Sequence, residues 1–267
     1  MSFDPLHKVH DAAKAGLLPH KVYQTIVDRF HLVTEGVARV EKASGIRYPY
    51  YYVEPSLVVS TSEAEFTQIG IFFARTIPAV GEDGMLHIVV QITAPLVAYS
   101  LKGTVHAILA HEFMHYLELV SRVTKMNVIS DEIAGTLFEG AYADSGRLLE
   151  PRAVFRSDPT LVKHITTRFP EGFRDMKLED KALKEWMDKG LPTARVPIDA
   201  NIIKIPIEAM AKLKVDPEVS EKIAQFENTE ARRRVGREKK AVTSGGATGN
   251  SVISDGSSIT SGGDVQQ

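Results

Sequence analysis

Between residues 19 and 44 apolar side chains recur at spacings of three and four: Val22, Tyr23, Ile26, Val27, Phe30, Val33, Val37 and Val40. That period lines one side of a helix, so the pattern predicts an amphipathic helix over 19–44 with Gly45 as its stop. The rhythm then changes. "IRYPYYYVEP" and "SLVVSTS" are rich in β-branched and aromatic residues and broken by proline, which predicts short strands. "SEAEFTQIGIFFART" fits either helix or strand, and its front half reads as helix. "GEDGMLHIVVQITAP" opens on turn residues and runs apolar until Pro95, predicting a strand over about 85–93.

Two helices are expected next. The first covers about 101–122 and carries Val105, Ile108, Leu109, Met114, Leu117 and Val120 on its apolar side. "TKMNVIS" interrupts it. Ser130 or Asp131 can then cap a second helix reaching about residue 149, with Glu132 favourable in its first turn. Beyond Pro151 the chain reads as mostly helical, and "DPEVSEKIAQF" starts a helix with Asp216 as cap and Pro217 in the first turn. Residues 241–267 contain no Lys, Arg or aromatic residue and are dominated by Gly and Ser, too little to offset chain entropy, so a disordered tail is expected. The expected organisation is a region over 1–150 built around the helix at 101–122, a helical region over 151–240, and the tail. The fold class is α+β: a small mixed sheet and N-terminal helices packed on that central helix. No internal repeat is visible.

Composition narrows the function classes. At 267 residues the chain can bury a sizeable core, and its 43% hydrophobic and 25% charged content is ordinary for a soluble globular protein. The net charge of -2 provides no field that would draw nucleic acid or an anionic membrane. The run "RRRVGREKK" at 232–240 is locally basic; such runs are commonly solvated helix ends, and with the tail it is the candidate contact for a partner. Cysteine is absent, so any metal must be held by His, Asp or Glu, as suits a cytoplasmic protein. The opening "MSFDPLHKVHDAAKAG" is charged early and does not resemble a signal peptide. The longest uncharged stretch, Met85 to Leu101, contains His87, Gln91 and Pro95 and is too short and polar to span a bilayer. A soluble, cytoplasmic protein is expected.

The candidate chemistry lies in "ILAHEFMHYLEL", residues 108–119. A helix turns about 100° per residue, so His111 and His115 project from one face a single turn apart. Two imidazoles so placed can approach one zinc ion. Glu112 lies one position round, able to reach a metal-bound water and take its proton as hydroxide attacks a carbonyl. This is the metalloprotease reading of His-Glu-x-x-His. Phe113, Met114, Leu109, Ala110, Tyr116 and Leu117 are uncharged, so the helix should be largely buried, where unpaired histidines are costly. The plain alternative is a pair of core histidines bonded to backbone carbonyls.

A third ligand must come from elsewhere. If 101–122 and 131–149 form an antiparallel hairpin, reflecting His115 about the loop centre near 127–128 lands close to Glu139. Glu132 shares a helix face with Glu139 but sits nearer the loop, so facing does not separate them and depth favours Glu139. Glu118 extends the histidine face but cannot easily close a tetrahedral site from the same helix.

HEFMH followed by a helix containing "LFEGAYAD" resembles the gluzincin group of zinc metallopeptidases. The resemblance covers about residues 85–147. It implies a zincin-like fold, bound zinc, and a peptide or protein substrate. His111 and His115 match the histidine ligands, Glu112 the general base, and Glu139 of "FEGAYAD" the third ligand. It also implies that the strand at 85–93 is an edge strand lying beside bound substrate. There are departures. Twenty-three residues separate His115 from Glu139, more than in compact members. Ala143 stands where many members place an aspartate that supports a histidine, with Asp144 one residue further on. A Gly-x-Met-Glu-Asn segment of the aminopeptidase branch is absent, so the resemblance carries no exopeptidase assignment.

Such a hydrolase also needs a group for the developing oxyanion, and Tyr142, Tyr116 and His164 are the candidates. His106, five residues before His111, reads as structural. His7, His10, His20 and His31 lie on amphipathic helices without a carboxylate in register and read as solvated or capping. A carboxylate-bridged di-iron bundle needs a second Glu-x-x-His on another helix, and the chain has none. The remaining alternative is a non-catalytic scaffold with a zincin-like fold, whose basic run and tail meet a partner. Retention of Glu112 argues against it.

Overall fold

The computed structural model describes residues 3–61, 69–81, 84–125, 149–169, 175–197, 212–213 and 215–229. They belong to one compact unit, Met1–Glu230. The amphipathic pattern at 19–44 becomes two helices, α2 (His20–Arg29) and α3 (His31–Ser44), preceded by α1 (His7–Lys14). The ladder breaks at Phe30, whose amide reaches back only to the Val27 carbonyl. The His31 ring takes the Asp28 carbonyl, the capping role expected of it. Gly45 ends α3 in the left-handed conformation that glycine adopts at little cost.

Strands β1 (Tyr50–Glu54), β2 (Leu57–Thr61), β3 (Ile69–Phe72), β4 (Ala74–Val80) and β5 (Leu86–Thr93) follow. The front of "SEAEFTQIGIFFART", expected to be helical, lies outside the described residues; its back half is β3 and the start of β4. One sheet has the order β1–β5–β4, with β1 parallel and β4 antiparallel to β5. The other is β3–β2–β6, where β6 (Thr193–Pro197) runs parallel to β2. The helical expectation beyond Pro151 did not include β6.

The expectation that residues 85–93 form an edge strand is corrected. β5 lies between β1 and β4, and the edge beside the central helix is β4, which has one strand partner among the described residues. The physical reason is visible in β5 itself. Every residue from Leu86 to Thr93 except His87 is buried, the near-continuous burial of a strand covered on both faces. Proline at position 78 instead suits an edge.

Pro95 does not simply end β5; it sits in the first turn of α4 (Ala94–Tyr99). The central helix α5 (Lys102–Lys125) packs against α3, β4 and α7 (Pro159–Arg168). A short turn, α6 (Pro151–Val154), precedes α7, and α8 (Met176–Ala182) runs into a π turn at Leu183–Met187. Trp186 in that turn is fully buried and donates its indole N–H to the Pro192 carbonyl. A last helix, α9, covers 217–229, with the Asp216 carboxylate accepting from the Glu218 amide as expected of a cap. No described helix is long and apolar enough to cross a membrane.

Gly36 lets α3 and α5 approach closely: a Cβ there would lie 2.6 Å from Leu109 Cδ1 and 2.9 Å from His106 Cδ2. His106 is therefore structural, as expected. Its Nδ1 accepts from Arg39 Nη1 at 3.3 Å. Arg39 also grips Asp158 with two hydrogen bonds, of 2.6 and 2.9 Å, and Asp158 in turn caps α7 through the Leu161 amide.

This cluster gives the fold a signed pH dependence. Burial first, then the charges of Arg39 and Lys102, hold His106 below the usual histidine value of 6.5, with Glu35 opposing weakly. The unfolded chain thus binds a proton that the folded protein refuses, and the contribution of neutral His106 is lost as pH falls below about 6.5. Asp158 adds a second, lower window. The Arg39 hydrogen bonds hold its carboxyl below 3.8, so that stability is present above this value and lost as pH falls through the folded pKa. Thermal midpoints of wild type should drop between pH 7.5 and 5, and His106→Gln should flatten that drop. An unchanged slope would remove His106 from the account.

Candidate metal centre

The site is built on α5. Ala110, Phe113, Leu117 and Leu119 are fully buried, and Met114 nearly so, so the middle of the helix is surrounded by core on most sides. His111, Glu112 and His115 are only 8%, 6% and 6% exposed, which takes three polar side chains almost wholly out of water. Burial on this scale is costly unless each group is engaged.

The two imidazoles engage each other. Their Nε2 atoms are 2.9 Å apart, and their ring planes are perpendicular, with centroids at 4.4 Å. In the protein alone, that distance is a hydrogen bond in which one Nε2–H donates to the other Nε2. It is also close to a ligand pair: two nitrogens at 2.0–2.1 Å from one tetrahedral zinc would be about 3.3 Å apart. A small ring rotation separates the two states. The pair of imidazole nitrogens thus fits the donor chemistry of a divalent ion such as zinc.

A flat aromatic contact holds one of these rings. Phe169, just past the end of α7, stacks on His111 with centroids 3.9 Å apart and planes 8° from parallel. Glu112 is tied on another side. The Thr76 hydroxyl of β4 lies 2.9 Å from Glu112 Oε2 and 3.0 Å from its backbone carbonyl, joining the edge strand to the helix at the expected general base. Tyr48 completes the wall: it stacks on Phe113 and donates to the Leu109 carbonyl at 2.9 Å. Burial chiefly, helped by the charges of Glu112 and Tyr51, pushes its phenol well above its ordinary value. It stays protonated and donating.

Of the expected site residues, the structure buries His111, Glu112 and His115 on one helix and brings the two imidazoles together. Glu139 lies outside the described residues, as do Glu132, Tyr142, Asp144, Ser130 and Asp131. Among the described residues, no group of three or more metal-ligating side chains forms. Glu118, on the histidine face and 1% exposed, therefore does not make a three-ligand set with the pair, as expected for a residue on the same helix.

Two oxyanion candidates fall away from the pair. His164 lies against the first turn of α5, where a Cβ on Gly103 would sit 3.7 Å from its Cε1. That is about two turns before His111. Tyr116 points about 100–140° round the helix from the two histidines. It packs on Phe113, and burial, then Asp216, pushes it up to about 12. One of the histidines read as lacking a carboxylate also needs correction: His10 Nε2 lies 3.3 Å from Asp4, which precedes α1 in the turn that leads into it.

Thr76, Tyr48 and Phe169 were not anticipated as site residues. Each reaches α5 from a distant part of the chain, and none carries a local motif. Comparison with protein-family models, with curated proteins and with solved structures finds no match to this chain.

Proposed function

We propose that this chain is a zinc-dependent peptidase in which His111, His115 and Glu139 hold the metal and Glu112 is the general base. The observation that carries the reading is the convergence of the His111 and His115 Nε2 atoms at 2.9 Å, inside a buried helix, with Glu112 next to them. Zinc held there would supply Lewis acidity and a bound water with its pKa lowered to about 7. The chain's own part is positional and protolytic. Glu112 accepts the proton of the attacking water and passes it to the leaving amine as the C–N bond breaks. Thr76 restricts rotation of the Glu112 carboxylate, so proton transfer starts from an oriented group. An extended peptide would lie along β4, because that strand, and not β5, is the edge tied to Glu112.

Absence of cysteine suits a peptidase working in the reducing cytoplasm. The test is metal analysis of purified protein, followed by chelation and readdition. About one zinc per chain is expected, with hydrolysis of casein or a peptide mixture lost on chelation and restored by zinc. A preparation that never retains zinc would overturn the reading and favour the non-catalytic scaffold.

A further inference from the structure

We propose that Phe169 is a positioning residue for this centre: its ring fixes the plane of the His111 imidazole so that Nε2 is aimed where a metal would be held. The inference rests on the proposed function, and it concerns a contact that no motif in the chain announces.

An imidazole on a helix rotates easily about its last side-chain torsion, which is broad and roughly two-fold. A metal ligand must aim an in-plane lone pair, so rotation about that torsion moves the nitrogen off target. Helix α5 sets where the ring starts; it does not set the ring's rotation. Phe169 does, because a second ring 3.9 Å away and 8° from parallel covers one face of the imidazole. Turning the imidazole would drive its edge into the phenyl ring. Phe169 is itself 6% exposed, and its amide bonds to the Ile165 carbonyl at the end of α7, so it cannot easily retreat.

The support continues behind it. Asp158 caps the other end of α7 and is held by Arg39 of α3, which packs on α5 as well. A path of rigid contacts thus runs from α3 through α7 to Phe169 and back to His111. Residues that orient a metal-binding histidine generally cost about 10–100-fold in metal affinity when removed. Phe169 is expected in that range through the stacking of its ring on the imidazole.

The experiment compares wild type, Phe169→Leu and Phe169→Tyr. Leucine keeps an apolar filling but loses the flat face; tyrosine keeps the face. Zinc affinity, measured by competition with a chromophoric chelator, should weaken about tenfold or more in the leucine variant and stay near wild type with tyrosine. Visible spectra of the cobalt-substituted proteins should show altered ligand geometry with leucine only. Wild-type affinity in a folded leucine variant would overturn the proposal while leaving the zinc site standing. Absence of zinc binding in wild type would overturn both. A metal-free measurement covers the case in which the leucine variant does not fold. In wild type the ring protons of His111 should resonate upfield, shielded by the phenyl face, and unshielded protons would overturn the proposal.

Discussion

Glu112→Gln is expected to slow turnover by orders of magnitude while zinc stays bound. The amide matches the carboxylate in shape and retains an oxygen for the Thr76 hydroxyl, so the link between β4 and α5 at that position survives. What it loses is the capacity to accept a proton. General-base catalysis contributes about 10²–10⁴-fold, and kcat/KM on a peptide substrate should fall by that amount. Zinc content and thermal midpoint should remain those of wild type, because Glu112 is not among the proposed ligands. Near-wild-type hydrolysis by the glutamine variant would show that another group takes the proton. Loss of zinc together with activity would show that Glu112 has a structural or ligand role.

Glu139→Ala is expected to weaken zinc binding by more than the roughly 10–100-fold typical of residues behind the ligands, and Glu132→Ala to change it little. The two glutamates are seven residues apart, so a helix presents them on one side and only depth distinguishes them. In the proposed centre His111 and His115 would supply two nitrogens and the remaining protein ligand would come from another segment, since no third described side chain joins them. Zinc competition on both variants decides between the carboxylates. Equal losses would remove the assignment of Glu139, and a loss confined to Glu132→Ala would transfer it.

The helical and strand periods carried much of this architecture in the linear chain. The strand at β5 and the long helix α5 were legible because each has a sustained apolar pattern and a clear boundary residue. The placement of β5 was not. A continuous apolar run is compatible with a buried centre or with an edge covered by other elements, and only pairing with both β1 and β4 separates these. β6 escaped because Thr-Ala-Arg-Val-Pro is short, polar at its middle, and a strand only by virtue of lying along β2. At the site, spacing alone put His111, Glu112 and His115 together, since one helix positions all three. Phe169 and Thr76 could not be found that way. Their contacts arise from packing of α7 and β4 on α5, and no periodicity within either segment encodes its partner.

The parallel pairing of β2 with β6 joins strands far apart in the chain. Non-local pairings pay loop-closure entropy before any reward, and they form late. During synthesis, β2 would leave the ribosome long before its neighbour β6, and Phe169 would follow His111 after a shorter interval. A hydrolytic centre assembled in this order would gain its final geometry only when most of the polypeptide is made. Its cleaving capacity would thus be withheld from the nascent chain itself.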